Sequence, residues 1–156
     1  RKNLLGNSLV LVAPADSNVT INVADHFPLV AALRGGRLSM ADPDSVPAGK
    51  YGRTALTALG VWPSVQDRIV SAENVRAALA YVARKEAPLG IVYKTDAMAE
   101  PKVRIAGKFP ENSHHPMVYP VALTNDAKPE AKNFFGYLSG AKAKAIFEKA
   151  GFTVLK

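Results

Sequence analysis

Short apolar runs alternate along this chain with longer stretches in which apolar residues recur every three or four positions, and that alternation sets the fold. Leu9-Val-Leu-Val-Ala13 is an unbroken run of strand length inside a wider one, Leu4–Ala13, so the chain enters a strand almost at once. Ala24 to Arg34 reads as a helix stopped by Gly35-Gly36, and Arg37-Leu-Ser-Met-Ala41 as the next strand. Pro47–Leu59 predicts a helix with proline in its first turn, where the missing N–H costs nothing, and Gly60 as its stop. A short strand around Arg68-Ile-Val70 precedes the clearest helix, Ala72–Arg84. There Val75, Ala78, Leu79 and Val82 fall on one face while Arg76, Arg84 and Lys85 face outward. Pro88-Leu-Gly-Ile-Val-Tyr93 is too apolar for an edge strand.

Further on, Lys102-Val-Arg-Ile-Ala106 alternates like a half-exposed strand, Pro110–Pro116 is a polar loop, and Tyr119-Pro-Val-Ala-Leu123 is a further strand. Two helices follow, Pro129–Leu138 and Ala141–Ala150, broken at Ser139-Gly140. Strands alternating with helix-length segments predict an α/β fold of βαβ units around a mainly parallel sheet. The last piece differs, because Phe134, Phe135, Leu138, Ile146, Phe147 and Phe152 need a partner surface that one short strand cannot supply. A boundary is therefore expected near residues 118 to 122, with 1–120 forming one lobe and 121–156 a segment of another.

Composition narrows the function more by exclusion than by choice. With 156 residues, 48% of them hydrophobic, the chain suits one well-buried domain or parts of two. Twenty Lys and Arg against 13 Asp and Glu give a formal charge of +7, which would suit nucleic acid, an acidic surface or a small anion. The basic residues are scattered, without an aromatic-plus-basic strip, and this disfavours nucleic acid. The chain has no cysteine, which removes disulfides, thiolate metal sites and cysteine nucleophiles. No apolar run reaches the ~20 residues of a membrane-spanning helix.

The candidate chemistry lies at helix starts. Asp42-Pro-Asp-Ser-Val-Pro-Ala-Gly49 joins a strand to a helix, and small residues there leave the N–H of Ala48 open to an anion. Ser45 or Asp44 could instead cap that helix and close the site. Ser71 is a plausible N-cap for the following helix, leaving the N–H of Val75 or a neighbour near the opening. Tyr93 stands at the carboxyl end of a strand, where open α/β sheets bind ligands, and its hydroxyl can donate. Each feature alone has a structural explanation; their recurrence at successive strand ends favours an oxyanion. Asp42, Asp44 and Asp96 have the chemistry of a hard-metal site, but Asp-Pro-Asp more often forms a turn. His114 and His115, with Glu111, read as a solvated loop before they read as a zinc site. No nucleophile elbow, phosphate-binding loop or dinucleotide fingerprint is present, so an enzyme is poorly supported.

Asp42–Gly49, Ala72–Leu79, Ala87–Ala97 and Ser113–Ala122, in this order and spacing, closely resemble the periplasmic molybdate-binding proteins of bacterial molybdate ABC transporters. The resemblance covers nearly the whole chain. It implies a type II periplasmic binding protein fold, in which two α/β lobes joined by hinge strands close on molybdate or tungstate and deliver it to a membrane permease. It implies neutral donors from the N–H of Ala48, the N–H of Val75 and the hydroxyl of Tyr93, with no cofactor, no catalysis and no nucleic-acid partner, in a monomer outside the cytoplasm. Residues 1–120 would be the second lobe with hinge strands at both ends, and 121–156 the return to the first. Two serines of the family's shell would lie on an N-terminal stretch absent here. The rival expectation is an oxyanion- or small-molecule-sensing domain of a transcription regulator with the same architecture.

Overall fold

In the computed structural model, which describes residues 1–156, the opening apolar run divides at Asn7-Ser8 into β1 (Lys2–Gly6) and β2 (Leu9–Pro14). Contacts divide the chain at the same place. One compact unit is Ser8–His115 and the other is Arg1–Asn7 with Pro116–Lys156. The boundary expected at residue 120 thus falls at His115/Pro116, and the first seven residues join the C-terminal segment.

The Ser8–His115 unit carries, after β2, α1 (Leu29–Leu33), β3 (Leu38–Ala41), α2 (Pro47–Ala58), α3 (Trp62–Val65), β4 (Ile69–Ala72), α4 (Val75–Ala83), β5 (Leu89–Tyr93), α5 (Lys94–Ala99) and β6 (Val103–Lys108). The strands lie in the order β4-β3-β5-β2-β6. β3 runs parallel to β4 and to β5, in registers that set Ala41 beside Ala72 and Leu38 beside Leu89. β2 is antiparallel to both of its neighbours, an exception to the mainly parallel expectation. A continuous apolar run reports burial on both faces but not direction.

Strand side chains alternate between the two faces. Val10, Val12 and Val92 pack with Leu79 and Val82 of α4, Ala97 of α5 and Val103. On the other face α2 lies so close that a Cβ on Gly52 would stand 2.9 Å from Met40 Cε. α4 approaches β5 equally closely, since a Cβ on Gly90 would meet Val82 Cγ2 at 2.7 Å. The buried hydroxyl of Ser39 donates to the carbonyl of Ala78 at 2.8 Å and ties α4 to β3. All six residues of β2 are buried, and each large apolar side chain so removed from water contributes about 1.5–3 kcal/mol. Both helices are therefore fixed on a rigid sheet before any ligand is considered.

Two elements differ from expectation. The helix expected over Ala24–Arg34 is confined to Leu29–Leu33. Pro28 disfavours helical backbone in the residue before it, and His26 adopts a positive φ of 55° while its N–H donates to the Leu59 carbonyl. α5 was not anticipated, being too short for a helical period to show.

In the other unit β1 is the middle strand of a three-stranded antiparallel sheet, between β7 (Val118–Val121) and β8 (Thr153–Val154). The helices α6 (Pro129–Leu138) and α7 (Ala141–Lys149) precede β8, separated as expected at Ser139-Gly140. Leu4, Leu5, Met117 and Ala143 are buried, but α6 buries no residue, and Phe134 and Ile146 are 60% and 61% exposed. No helix in the structure is long and apolar enough to cross a membrane.

Candidate oxyanion site

The parallel registers put the carboxyl ends of β4, β3 and β5 side by side, and each of these ends leads directly to a candidate donor. β3 leads through Asp42–Ser45 to α2, β4 through Glu73-Asn74 to α4, and β5 ends on Tyr93 itself.

At α2 the N-cap is Val46, which offers no side-chain hydrogen bond, and Pro47 occupies the first turn. Neither Ser45 nor Asp44 closes the helix start. Asp42 Oδ1 instead accepts the N–H of Asp44 at 2.8 Å, and Asp44 accepts a 2.6 Å bond from Arg53, so the aspartates shape the turn that precedes the helix. The first intrahelical bond runs from the Lys50 N–H to the Val46 carbonyl at 2.9 Å. The N–H of Ala48, one residue after Pro47, lies ahead of that first bond and has no intrahelical acceptor. Gly49 has a role the sequence did not reveal. Its Cβ would lie 2.2 Å from the Ala41 carbonyl oxygen and 2.3 Å from that of Asp42, so the absent side chain lets the helix start sit directly on the end of β3. Smallness at this position serves packing, with ligand access as the by-product.

At α4 the cap is Asn74 rather than Ser71. Asn74 Oδ1 accepts the N–H of Ala77 at 2.8 Å, whereas Ser71 lies within β4, paired with Met40. An Asn cap satisfies the third N–H of the helix and leaves those of Val75 and Arg76, the first two, outside it. Val75 itself is half-buried.

Tyr93 is held from two sides. Its ring meets Tyr51, one turn into α2, edge-on at 6.5 Å between centroids, and Tyr51 in turn meets His114 at 5.9 Å. His114 is thus part of an edge-to-face aromatic cluster beside the candidate donors, and its Nδ1 lies 2.8 Å from the His115 carbonyl oxygen. Beyond Tyr93 the chain turns at once into α5, where Asp96 is buried and accepts a 3.2 Å bond from Arg76 Nε. Burial pushes the Asp96 carboxyl above its ordinary value, against smaller pulls from Arg76 and from the Tyr93 backbone.

The arginines of α2 and α4 are already engaged. Arg53 pairs with Asp44 and lies 5.3 Å above the Trp62 ring; Arg76 pairs with Asp96. The three aspartates named as hard-metal candidates serve separate local contacts, and no group of three or more His, Asp or Glu side chains has the arrangement of a metal site. Tyr51, Asn74 and the packing role of Gly49 escaped the sequence reading, and Asp96 was read there only as a possible metal ligand. An Asn three residues before Ala77 carried the only recognisable signal among them.

A family model described as bacterial extracellular solute-binding protein matches residues 1–153. The chain belongs to that family. Among the relatives of this solute-binding protein, the molybdate-binding protein ModA of Escherichia coli is 46% identical over 160 residues, covering 99% of this chain and 61% of that protein. The substrate-binding domain of a proposed molybdenum ABC transporter from Clostridium difficile superposes with a TM-score of 0.84 at 31% identity, over 99% of this chain and 66% of that one. The periplasmic molybdate-binding protein of Azotobacter vinelandii gives 0.74 at 25% identity, over 97% of this chain and 67% of that one. The solute-binding chain spans 56–61% of the length of the curated relatives it matches.

Proposed function

We propose that this protein captures molybdate or tungstate outside the cytoplasm and passes it to an ABC transporter permease, with the N–H of Ala48, the N–H of Val75 and the hydroxyl of Tyr93 as donors. One observation carries the reading: three neutral donors follow the carboxyl ends of three adjacent parallel strands, at two helix starts whose caps leave the first N–H groups unused. Each bond from such a donor to a charged oxygen contributes about 1.5–3 kcal/mol net. Ser8–His115 forms the ligand-gripping lobe, and the two chain crossings at Asn7-Ser8 and His115-Pro116 act as its hinge.

The donor set also fixes a preference. A site with donors and no acceptor gives no partner to the proton of a protonated phosphate, whereas molybdate, tungstate and sulfate arrive fully deprotonated at neutral pH. Size then separates molybdate and tungstate from the smaller sulfate. No residue among the donors offers a general base, and capture without chemistry is the role this arrangement suits. A regulator's sensing domain would share the architecture, but the curated relatives named for a binding role are molybdate-binding proteins and a transporter lipoprotein.

Titration calorimetry of the intact protein, as its gene encodes it, with sodium molybdate tests the reading. Tight, reversible binding is expected there, with Tyr93→Phe weakening it about ten- to hundredfold, the equivalent of one bond to a charged acceptor. A parent that binds sulfate tightly and ignores molybdate would overturn the assignment; an unaltered Tyr93→Phe affinity would remove Tyr93 from the shell.

A further inference from the structure

Asp96 is the one buried carboxylate in the chain, and the oxyanion reading gives it no task. Its Oδ1 accepts from Arg76 Nε at 3.2 Å, and its Oδ2 is buried without a hydrogen-bond partner. The two residues belong to the two donor-bearing segments. Arg76 directly follows Val75 in the first turn of α4, and Asp96 lies three residues after Tyr93 in the first turn of α5.

A pair of this kind is a poor source of stability. The Arg76 side chain is 78% exposed while that of Asp96 is 8% exposed, so water screens the attraction and the carboxylate still bears its desolvation. A negative charge set behind donors meant for an anion is also electrostatically adverse unless a cation neutralises it. What the pair does supply is geometry. It is a directional link, across 20 residues of sequence, between a helix start whose position sets the Val75 N–H and a strand end whose position sets the Tyr93 hydroxyl.

We propose that Arg76 and Asp96 are positioning residues that lock the starts of α4 and α5 together so that the Val75 N–H and the Tyr93 hydroxyl meet the same oxyanion; this rests on the molybdate reading above. The lock is specific to these two donors. Ala48 is fixed independently, through Gly49 and β3.

The test is made in the protein as its gene encodes it, with sodium molybdate as the probe. Arg76→Gln, an exposed side chain whose loss leaves the fold intact, and the isosteric Asp96→Asn should each weaken binding roughly tenfold, the loss expected when one hydrogen bond to a charged oxygen is misaligned. The melting temperature of the ligand-free protein should not fall in either variant. Arg76→Lys, which keeps the charge, should recover part of the affinity. A double-mutant cycle supplies the readout that a purely structural role would not move. In a Tyr93→Phe background Asp96→Asn should cost much less than it does alone, because its effect is exerted through the missing hydroxyl. Equal losses in both backgrounds, or parental affinity in both single variants while Tyr93→Phe binds weakly, would overturn the inference and leave the site reading standing. Parental affinity in Tyr93→Phe itself would strike at the site reading and carry this inference down with it.

Discussion

Gly49 shows how one residue type can be right for a reason invisible in the sequence. In Val46-Pro-Ala-Gly49 small side chains suggested ligand access, whereas the glycine faces the carbonyls of Ala41 and Asp42 at 2.2 and 2.3 Å from where its Cβ would be. Gly49→Ala must push the α2 start off β3, at a cost of about 1–3 kcal/mol, and carry the Ala48 N–H with it. Calorimetry of the folded variant should then show molybdate affinity reduced more than tenfold, and a variant that binds like the parent would separate the helix start from the site. Asp96 is legible in the same partial way, as an aspartate whose partner sits 20 positions earlier. Its folded-state value is raised above the ordinary 3.8, so the native state retains a proton that the unfolded chain has released. The corresponding stability is complete below the unfolded value and is lost as pH rises through the folded one. Melting curves across that range should therefore show Asp96→Asn gaining on the parent from acid toward neutral pH; a constant difference would mean that Asp96 titrates normally.

At the level of elements, period and punctuation located most helices and strands. α2 starts where the proline puts it, and α4 buries the face that the three-four spacing marks. The failures have physical causes. A helix expected to begin at Ala72 begins at Val75, because β4 continues through Ala72 in register with Ala41, and the cap passes from Ser71 to Asn74. The reversed direction of β2 could not be read, since an apolar strand buried on both faces looks the same either way. Tyr51 was hidden for another reason: a ring contact between α2 and β5 depends on sheet order, which spacing within one helix does not encode. Of the proposed site, the three candidate donors come from helix starts and strand ends, whereas the supports behind them lie in contacts between elements that spacing does not encode. Burial differs as sharply as legibility. β2 is buried at every position and α6 at none, so hydrogen exchange on the 156-residue chain should protect amides of residues 9–13 and 89–93 longest and those of 130–149 least. Equal protection across these segments would contradict the burial pattern.

For the molecule as a whole, charge acts before contact. The formal +7 of the chain attracts a doubly charged anion over a range that salt shortens to about 10 Å at 0.1 M. Stopped-flow association with molybdate should slow as ionic strength rises while dissociation changes little, because the proposed donors carry no formal charge. A dissociation rate that rises steeply with salt would instead point to a charged side chain on the ligand. The scattered placement of the basic residues fits a diffuse field of this kind and supplies no stripe for a polyanion.

The uncapped start of α2, with Val46 and Pro47 where a capping side chain could have stood, has a consequence for genetics. A donor that belongs to the peptide bond survives when its side chain is exchanged, so Ala48 and Val75 can drift among small or apolar residues with the ligand still held. On the proposed site, a mutational scan for loss of uptake would light up at Gly49, Asn74 and Tyr93, which would aim the amides or donate directly, and stay dark at Ala48 and Val75.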